Sequence, residues 1–324
     1  MKSVIIICPY FGKFPEYVMP LWLRSISFNK TINWLIITDD KSEYNYPSNV
    51  KVVYSSLNET KSHFQKHFDF DISLERPYKL CDYRPAYGVL FSDYTKGYDY
   101  WGYCDIGDTI FGDLRSFIND AMNSDADKIM YFGHLSLYRN VERVNKAFLL
   151  HASDKSKNIK NVFGVNESCI FDEIGEYSIH RILLDNGFNE VRLDSSYIDI
   201  SPMRFAFSRS LYDKDFKHLI DYSRRIISWE NGKLYDCVIN NGMAKKTEIG
   251  YVHFQKRKMK WLDDNVNTMD SFLIVPNGFA KYEKPTKMLI QKYSTNKLFY
   301  EPYFKIKMSY LKTRLRHFRG KFRL

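Results

Sequence analysis

Three short apolar runs in the first sixty residues constrain the fold most. Val4-Ile5-Ile6-Ile7-Cys8, Trp34-Leu35-Ile36-Ile37-Thr38 and Lys51-Val52-Val53-Tyr54 are rich in β-branched residues, and none alternates strictly with polar positions. Strands of this kind are covered on both faces, as in a parallel sheet. Pro9 and Gly12 close the first run, and Asp39-Asp40 end the second. Between them, residues 15–28 place Tyr17, Val18, Leu21, Trp22, Ser25 and Ile26 at helical spacing, with Pro15 near the first turn and Pro20 as an internal blemish. Strand, helix and buried strand in this order predict an α/β fold: a mixed, mainly parallel sheet with helices on both faces. The same reading predicts a helix over 58–68 capped by Asn58, a helix over 85–94, a strand over 98–104 and one strand over 128–137. Residues 140–160 read as a polar connection, helical in part. A helix follows over 175–186, led by Asp172-Glu173, then a hairpin over 227–236 turned by Asn231-Gly232 and a late strand over 249–254.

With 44% hydrophobic and 27% charged residues, the chain buries a core rather than remaining disordered. The 17% aromatic content suits stacking on sugars and bases, and it serves cores equally well. No secretory signal is visible, and no apolar run approaches the roughly 20 residues of a membrane span. The five cysteines are odd in number, scattered and never spaced CxxC, which speaks against a disulfide frame or a zinc site. A reduced, cytoplasmic protein is expected. The net charge of +10 is concentrated: residues 303–324 hold eight Lys/Arg and no acid, leaving +2 for the rest. The expected organisation is therefore one catalytic domain over 1–302 and a basic, amphipathic tail over 303–324. The tail suits the anionic surface of a membrane. A nucleic-acid partner is not expected, because it calls for a basic face through the body as well.

Three segments carry candidate chemistry. In Tyr100-Trp101-Gly102-Tyr103-Cys104-Asp105-Ile106-Gly107-Asp108 an apolar strand delivers two carboxylates at its carboxyl end. Ligands of open α/β sheets bind there, and a hard divalent cation takes carboxylate and phosphate oxygens. The bland alternative is a pair of loop-capping acids. Between Arg76 and Tyr87, Lys79, Asp82 and Arg84 lie among tyrosines, where a cation pairs with phosphate and a ring stacks on a base. A solvated helix start explains the same pattern. In the third segment, His253 precedes Phe254 and the cations Lys256, Arg257 and Lys258. A neutral imidazole completes a metal shell and lysines hold a diphosphate, although a lone histidine is often simply packed.

Taken in order along residues 3–262, these segments resemble GT-A-fold glycosyltransferases, in particular bacterial transferases encoded with surface polysaccharides such as lipopolysaccharide or capsule. The resemblance implies a Rossmann-like catalytic domain that uses a nucleotide-sugar donor, a glycan or lipid-linked acceptor and a divalent cation, Mn or Mg. The nucleotide-seating strand and loop match Pro9, Tyr10 and Phe11, with Asp39, Lys79, Asp82, Arg84, Lys256 and Lys258 as further donor contacts. The Asp-x-Asp metal motif matches Asp105 and Asp108, with one residue more between the acids than usual, and the late third metal ligand matches His253. An inverting reaction needs a base, for which Asp172 and Glu173 at a helix start are the candidates; a retaining one does not. The implied location is the inner face of the cell membrane. Two other classes compete with this reading, a non-catalytic carbohydrate-binding module and a nucleic-acid binder.

Overall fold

The computed structural model describes residues 1–152, 158–173, 178–201, 204–212, 218–255 and 257–294, together with 304, 305, 307 and 308. Lys256 and nearly all of the basic tail lie outside the described residues. The chain divides into two compact units, Met1–Ser196 and Tyr197–Leu324, a division that falls inside the stretch expected to form one catalytic domain.

The first unit is built on a seven-stranded sheet. Its strands are β1 (Val4–Tyr10), β2 (Ile32–Thr38), β3 (Val50–Tyr54), β4 (Tyr100–Cys104), β6 (Lys128–Phe132), β7 (Leu135–Arg139) and β8 (Glu190–Val191); the short β5 (Thr109–Phe111) follows β4. The spatial order is β3-β2-β1-β4-β7-β6-β8. β1, β2, β3 and β4 run parallel, β7 is antiparallel to β4 and β6, and β8 is parallel to β6. This is the mixed, mainly parallel sheet the sequence predicts. Successive side chains of a strand face opposite sides, and every residue of β4 is buried, so both faces are covered. One face packs Ile5, Ile7, Leu35, Ile37, Trp101 and Tyr103 into a single core. Trp101 and its register partner Tyr138 stack 4.5 Å apart. Cys8 and Cys104 sit on neighbouring strands with their sulfurs 3.4 Å apart.

Local differences from the expected elements have identifiable causes. The helix α1 runs Met19–Ser27, so Pro20 falls in the first turn, where a missing N–H costs nothing. The next helix, α2 (Leu57–Gln65), is capped by Ser56 rather than Asn58, because Ser56 and Glu59 form a reciprocal capping box. The expected helix at 85–94 is broken into the short helical turns Arg84–Ala86, Tyr87–Leu90 and Ser92–Thr95, which continue a run begun by Pro77–Lys79 and Leu80–Tyr83. The single strand expected over 128–137 is two strands, β6 and β7, with a register shift and Met130 at φ +64°.

The second unit contains β9 (Tyr197–Ile200), β10 (Phe207–Tyr212), β11 (His218–Asp221) and β15 (Tyr251–His253), ordered β11-β10-β9-β15. Its other sheet is β14-β13-β12-β17-β18-β16, formed by β12 (Arg225–Glu230), β13 (Lys233–Asn240), β14 (Met243–Ile249), β16 (Lys260–Trp261), β17 (Ser271–Val275) and β18 (Gly278–Lys281). The expected Asn-Gly hairpin joins β12 to β13, with Asn231 at φ +47° and Gly232 at +85°. No helix among the described residues is long and apolar enough to cross a membrane.

Candidate active site

The parallel strands β1, β2, β3 and β4 all end on one edge of their sheet. The β6–β7 turn, Gly133-His134, lies on that edge too, because β7 runs antiparallel to β4. Beyond β4, the loop Asp105–Asp108 is fixed by its backbone: the Asp105 N–H donates to the His134 carbonyl at 3.2 Å, and the Asp105 carbonyl accepts from the Thr109 hydroxyl at 2.7 Å. Gly107 has φ +78°, and a Cβ there would stand 2.2 Å from Pro15 Cγ, so the residue inserted between the two acids has to be glycine. Burial, and then the nearby charge of Asp108, raises the phenol pKa values of Tyr10 and Tyr17.

Arg84 joins three elements at this edge. Its Nη1 donates to Asp172 Oδ2 at 2.8 Å and to the Gly133 carbonyl at 2.7 Å, while Nη2 pairs with Asp105 Oδ1. The guanidinium also lies 5.3 Å from the Tyr103 ring centroid. Burial works against its charge, but Asp105 and Asp172 outweigh burial and hold its pKa well above the usual value. The Asp172 side chain is only 3% exposed. Burial pushes its carboxyl up to about 7; Arg84 opposes the rise and Glu173 adds to it. A Cβ on Gly133 would stand 2.7 Å from Asp172 Oδ2, 2.9 Å from Glu173 Oε1 and 3.0 Å from Arg84 Nη1, so these three groups converge on the glycine and a side chain there would displace them. The neighbouring Tyr78 ring is half exposed, and burial, Cys81 and the two carboxylates raise its phenol pKa.

The structure treats the expected site residues unequally. Asp172 and Glu173 lie in a turn, whereas the helix Ile179–Asp185 starts behind Ser178; residues 174–177 lie outside the described residues. Lys79 and Asp82 are closed off from any phosphate. Both side chains are 0% exposed, and the three donors of the ammonium go to Asp82 (2.9 Å), the Val162 carbonyl (2.6 Å) and the Glu167 carbonyl (2.8 Å). Phe11 is a core residue, and Pro9 pairs in register with Ile37. Tyr10 is half-buried, with its ring 5.0 Å from that of Phe14. Asp39 is exposed and accepts the Gly12 N–H at 2.7 Å. Its neighbour Asp40, which the sequence does not single out, is buried. Its bonds to Lys13, the Phe14 N–H and Ser42 overcome burial and hold its carboxyl well below the usual range.

In the second unit His253 ends β15, and its Nδ1 lies 3.0 Å from Asp199 Oδ1 on β9. Gln255, at φ +46°, donates from Nε2 to the other Asp199 oxygen. Asp199 is an acid that sequence reasoning misses, because one acid inside a short strand carries no signal. Lys258 is exposed, and Lys256 lies outside the described residues. Arg257 between them donates to the carbonyls of Pro276 (2.9 Å), Ser201 (2.5 Å) and Arg204 (2.9 Å), which makes it a loop anchor. The Gly133-His134 turn is also missed in the sequence, since 128–137 reads as one apolar run.

Asp105 and Asp108 supply the oxygen donors a hard divalent cation takes. A carboxylate offers about four lone-pair positions, so pairing with Arg84 leaves Asp105 able to ligate. Asp105 and Asp108 are therefore candidates for holding such an ion.

No curated protein matches the chain in sequence. Among solved structures, similar ones include the galactosyltransferase LgtC in complex with donor and acceptor sugar analogs, at 13% identity over 60% of this chain and 75% of that one, TM-score 0.34. The glycosyltransferase GlyE of Streptococcus pneumoniae TIGR4 is similar at 8% identity over 60% of this chain and 46% of that one, TM-score 0.32. Likenesses of this size fix neither a fold nor an activity. A family model, by contrast, matches residues 6–283: the chain belongs to the family of unknown function DUF6625.

Proposed function

We propose that this chain is a GT-A-like glycosyltransferase, which moves a sugar from a nucleotide-diphosphate donor to a glycan hydroxyl with the help of a divalent cation. One observation carries the reading. At the carboxyl edge of a mainly parallel sheet, a single arginine joins the strand-end acid Asp105 to Asp172, a buried carboxyl whose pKa is about 7, and Asp108 follows Asp105 in the same loop. In this reading Asp105 and Asp108 hold the cation, which when bound neutralises charge growing on a departing diphosphate. Asp172 has a pKa matched to neutral pH, so it is suited to take the acceptor proton, a contribution of roughly 10²–10⁴-fold. Glu173 beside it is exposed and is the second candidate. Arg84 fixes Asp172 against Asp105, and Tyr10 and Asp39 flank the donor side of the edge.

For His253, the bond from Nδ1 to Asp199 gives the orientation a ligating imidazole needs. We keep it as a proposed cation ligand, and Lys256 and Lys258 as proposed diphosphate partners. The proposal extends to a growing, lipid-linked bacterial surface glycan as acceptor and to the inner face of the cell membrane as location. The eight cations of 303–324 support that location, since each Lys/Arg near an anionic surface contributes about 1 kcal/mol.

The test is hydrolysis of nucleotide sugars with Mn²⁺ and with chelator. The proposal expects cation-dependent turnover that is lost in Asp105→Ala and Asp108→Ala while both variants stay folded. Turnover indifferent to chelator removes the cation from the account. No turnover on any nucleotide sugar removes the enzyme.

A further inference from the structure

The buried pair Lys79–Asp82 touches nothing at the sheet edge, yet it grips the loop that carries Asp172. Asp82 accepts the Cys169 N–H at 2.9 Å through Oδ2 and the Phe171 N–H at 3.0 Å through Oδ1. Between those two amides stands Ile170, at φ +54° and 57% exposed. A β-branched residue in the left-handed region is strained, because its Cβ crowds the backbone. Ile170 gains little burial in return, so its surroundings must impose the conformation. On the far side, Phe171 is buried in the core next to Phe163, and its carbonyl accepts the Ile179 N–H at 2.8 Å. Two amides and one ring are thus fixed immediately before Asp172. Lys79 in turn orients Asp82 and ties the loop to the Val162 and Glu167 carbonyls.

We infer that Asp82, held by Lys79, is a positioning residue: it clamps the backbone on both sides of Ile170 so that Asp172 is delivered to Arg84 over Gly133. The consequence for turnover rests on the glycosyltransferase reading; the consequence for geometry does not. A loop that served stability alone would carry Gly or Asn at 170, where the left-handed conformation costs less. Here a strained side chain and a buried charge pair, both of which cost stability, converge on the residue before the carboxyl.

The experiment uses two variants of the full chain. The double variant Lys79→Met/Asp82→Asn removes both charges, so neither is left buried alone. Ile170→Gly removes the strain and loosens the backbone without touching the pair. We expect the amides of Cys169 and Phe171 to exchange at least tenfold faster in the double variant, with the amides of β1 and β4 within twofold of the parent chain. For nucleotide-sugar hydrolysis with Mn²⁺, kcat falls at least tenfold in the double variant and several-fold in Ile170→Gly. KM for the donor stays within twofold, and Ile170→Gly melts no lower than the parent. If both variants keep kcat within twofold, or if the double variant loses only thermal stability, the clamp does not position Asp172. If the double variant fails to fold, Ile170→Gly decides alone. If the parent chain turns over no nucleotide sugar, the glycosyltransferase reading fails and crystal structures of the variants decide the inference: an Asp172–Arg84 bond kept at its present length overturns it, and a separation beyond hydrogen-bond reach supports it.

Discussion

Lys79 and Arg84 are five positions apart in one run of short turns, and the two ion systems they build follow opposite rules. Around Lys79 the ammonium has three acceptors, and Asp82 receives the ammonium and two backbone amides. Around Arg84 one guanidinium faces Asp105 and Asp172, with Glu173 close by, and the most buried of these carboxyls is pushed up to about 7. The balanced pair has no ammonium donor left for a ligand. The crowded system holds a carboxyl raised toward neutral pH by burial. The difference separates a closed pair, which can only position its neighbours, from groups suited to chemistry, although both present the same residue types.

Breaking the balanced pair should give the largest effect. Lys79→Met leaves Asp82 buried and uncompensated, and removing one partner of such a pair costs about 3–5 kcal/mol. Urea unfolding measures it, and Lys79→Met/Asp82→Asn should recover much of the loss. A single variant within about 1 kcal/mol of the parent shows that the pair is not closed.

The crowded system should announce itself in pH dependence. Asp172 titrates near 4 when unfolded and at about 7 when folded, so between those values the folded chain holds a proton the unfolded chain has released. Its contribution is therefore fully present below pH 4 and is lost as pH rises through 7, by up to about 4 kcal/mol. Asp172→Asn should flatten the stability profile across that window. Parallel profiles for variant and parent place the Asp172 carboxyl at an ordinary pKa.

Gly133→Ala is the third. Its Cβ would enter at 2.7 Å from Asp172 Oδ2, and overpacking of this kind costs about 1–3 kcal/mol. The same variant should lower kcat by displacing Asp172 or Arg84. Unchanged stability and turnover show that the turn relaxes without cost.

Removing residues 303–324 should have the smallest effect on the fold, within about 0.5 kcal/mol by thermal or urea unfolding. It should still abolish binding to anionic vesicles. Binding that persists after the deletion, or that is equally strong on neutral lipid, removes the tail from the membrane proposal.

How much the sequence discloses follows the same division. β1, β2 and β3 are readable because buried parallel strands are apolar at successive positions, and the β12–β13 turn because Asn231-Gly232 favours the left-handed conformation. That two acids follow β4 is readable because the apolar run ending at Cys104 marks the strand end; whether they serve a ligand or cap the loop is not legible from residue type. What sets Lys79 apart from Arg84 is burial, which depends on Val162, Glu167 and the loop at 169–171, some eighty residues away. Local spacing cannot report such contacts. The β6–β7 turn is concealed for a related reason: Met130 takes a left-handed conformation inside an apolar run, which no propensity anticipates. The left-handed residues Ile170 and Gln255 lie next to Asp172 and Asp199–His253, so local strain marks candidate sites that residue type alone does not.

The central claim, that Asp105 and Asp108 hold a cation for a nucleotide diphosphate, is tested most directly by thermal unfolding of the whole chain against a panel of nucleoside diphosphates, with and without Mn²⁺ or Mg²⁺. A ligand at a hundred times its Kd adds about 2.7 kcal/mol, and that raises Tm by several degrees. The account predicts a rise for one base with the cation present, a much smaller rise without it, and none in Asp105→Ala or Asp108→Ala. A Tm unmoved by every nucleotide, or moved equally in those variants, contradicts it.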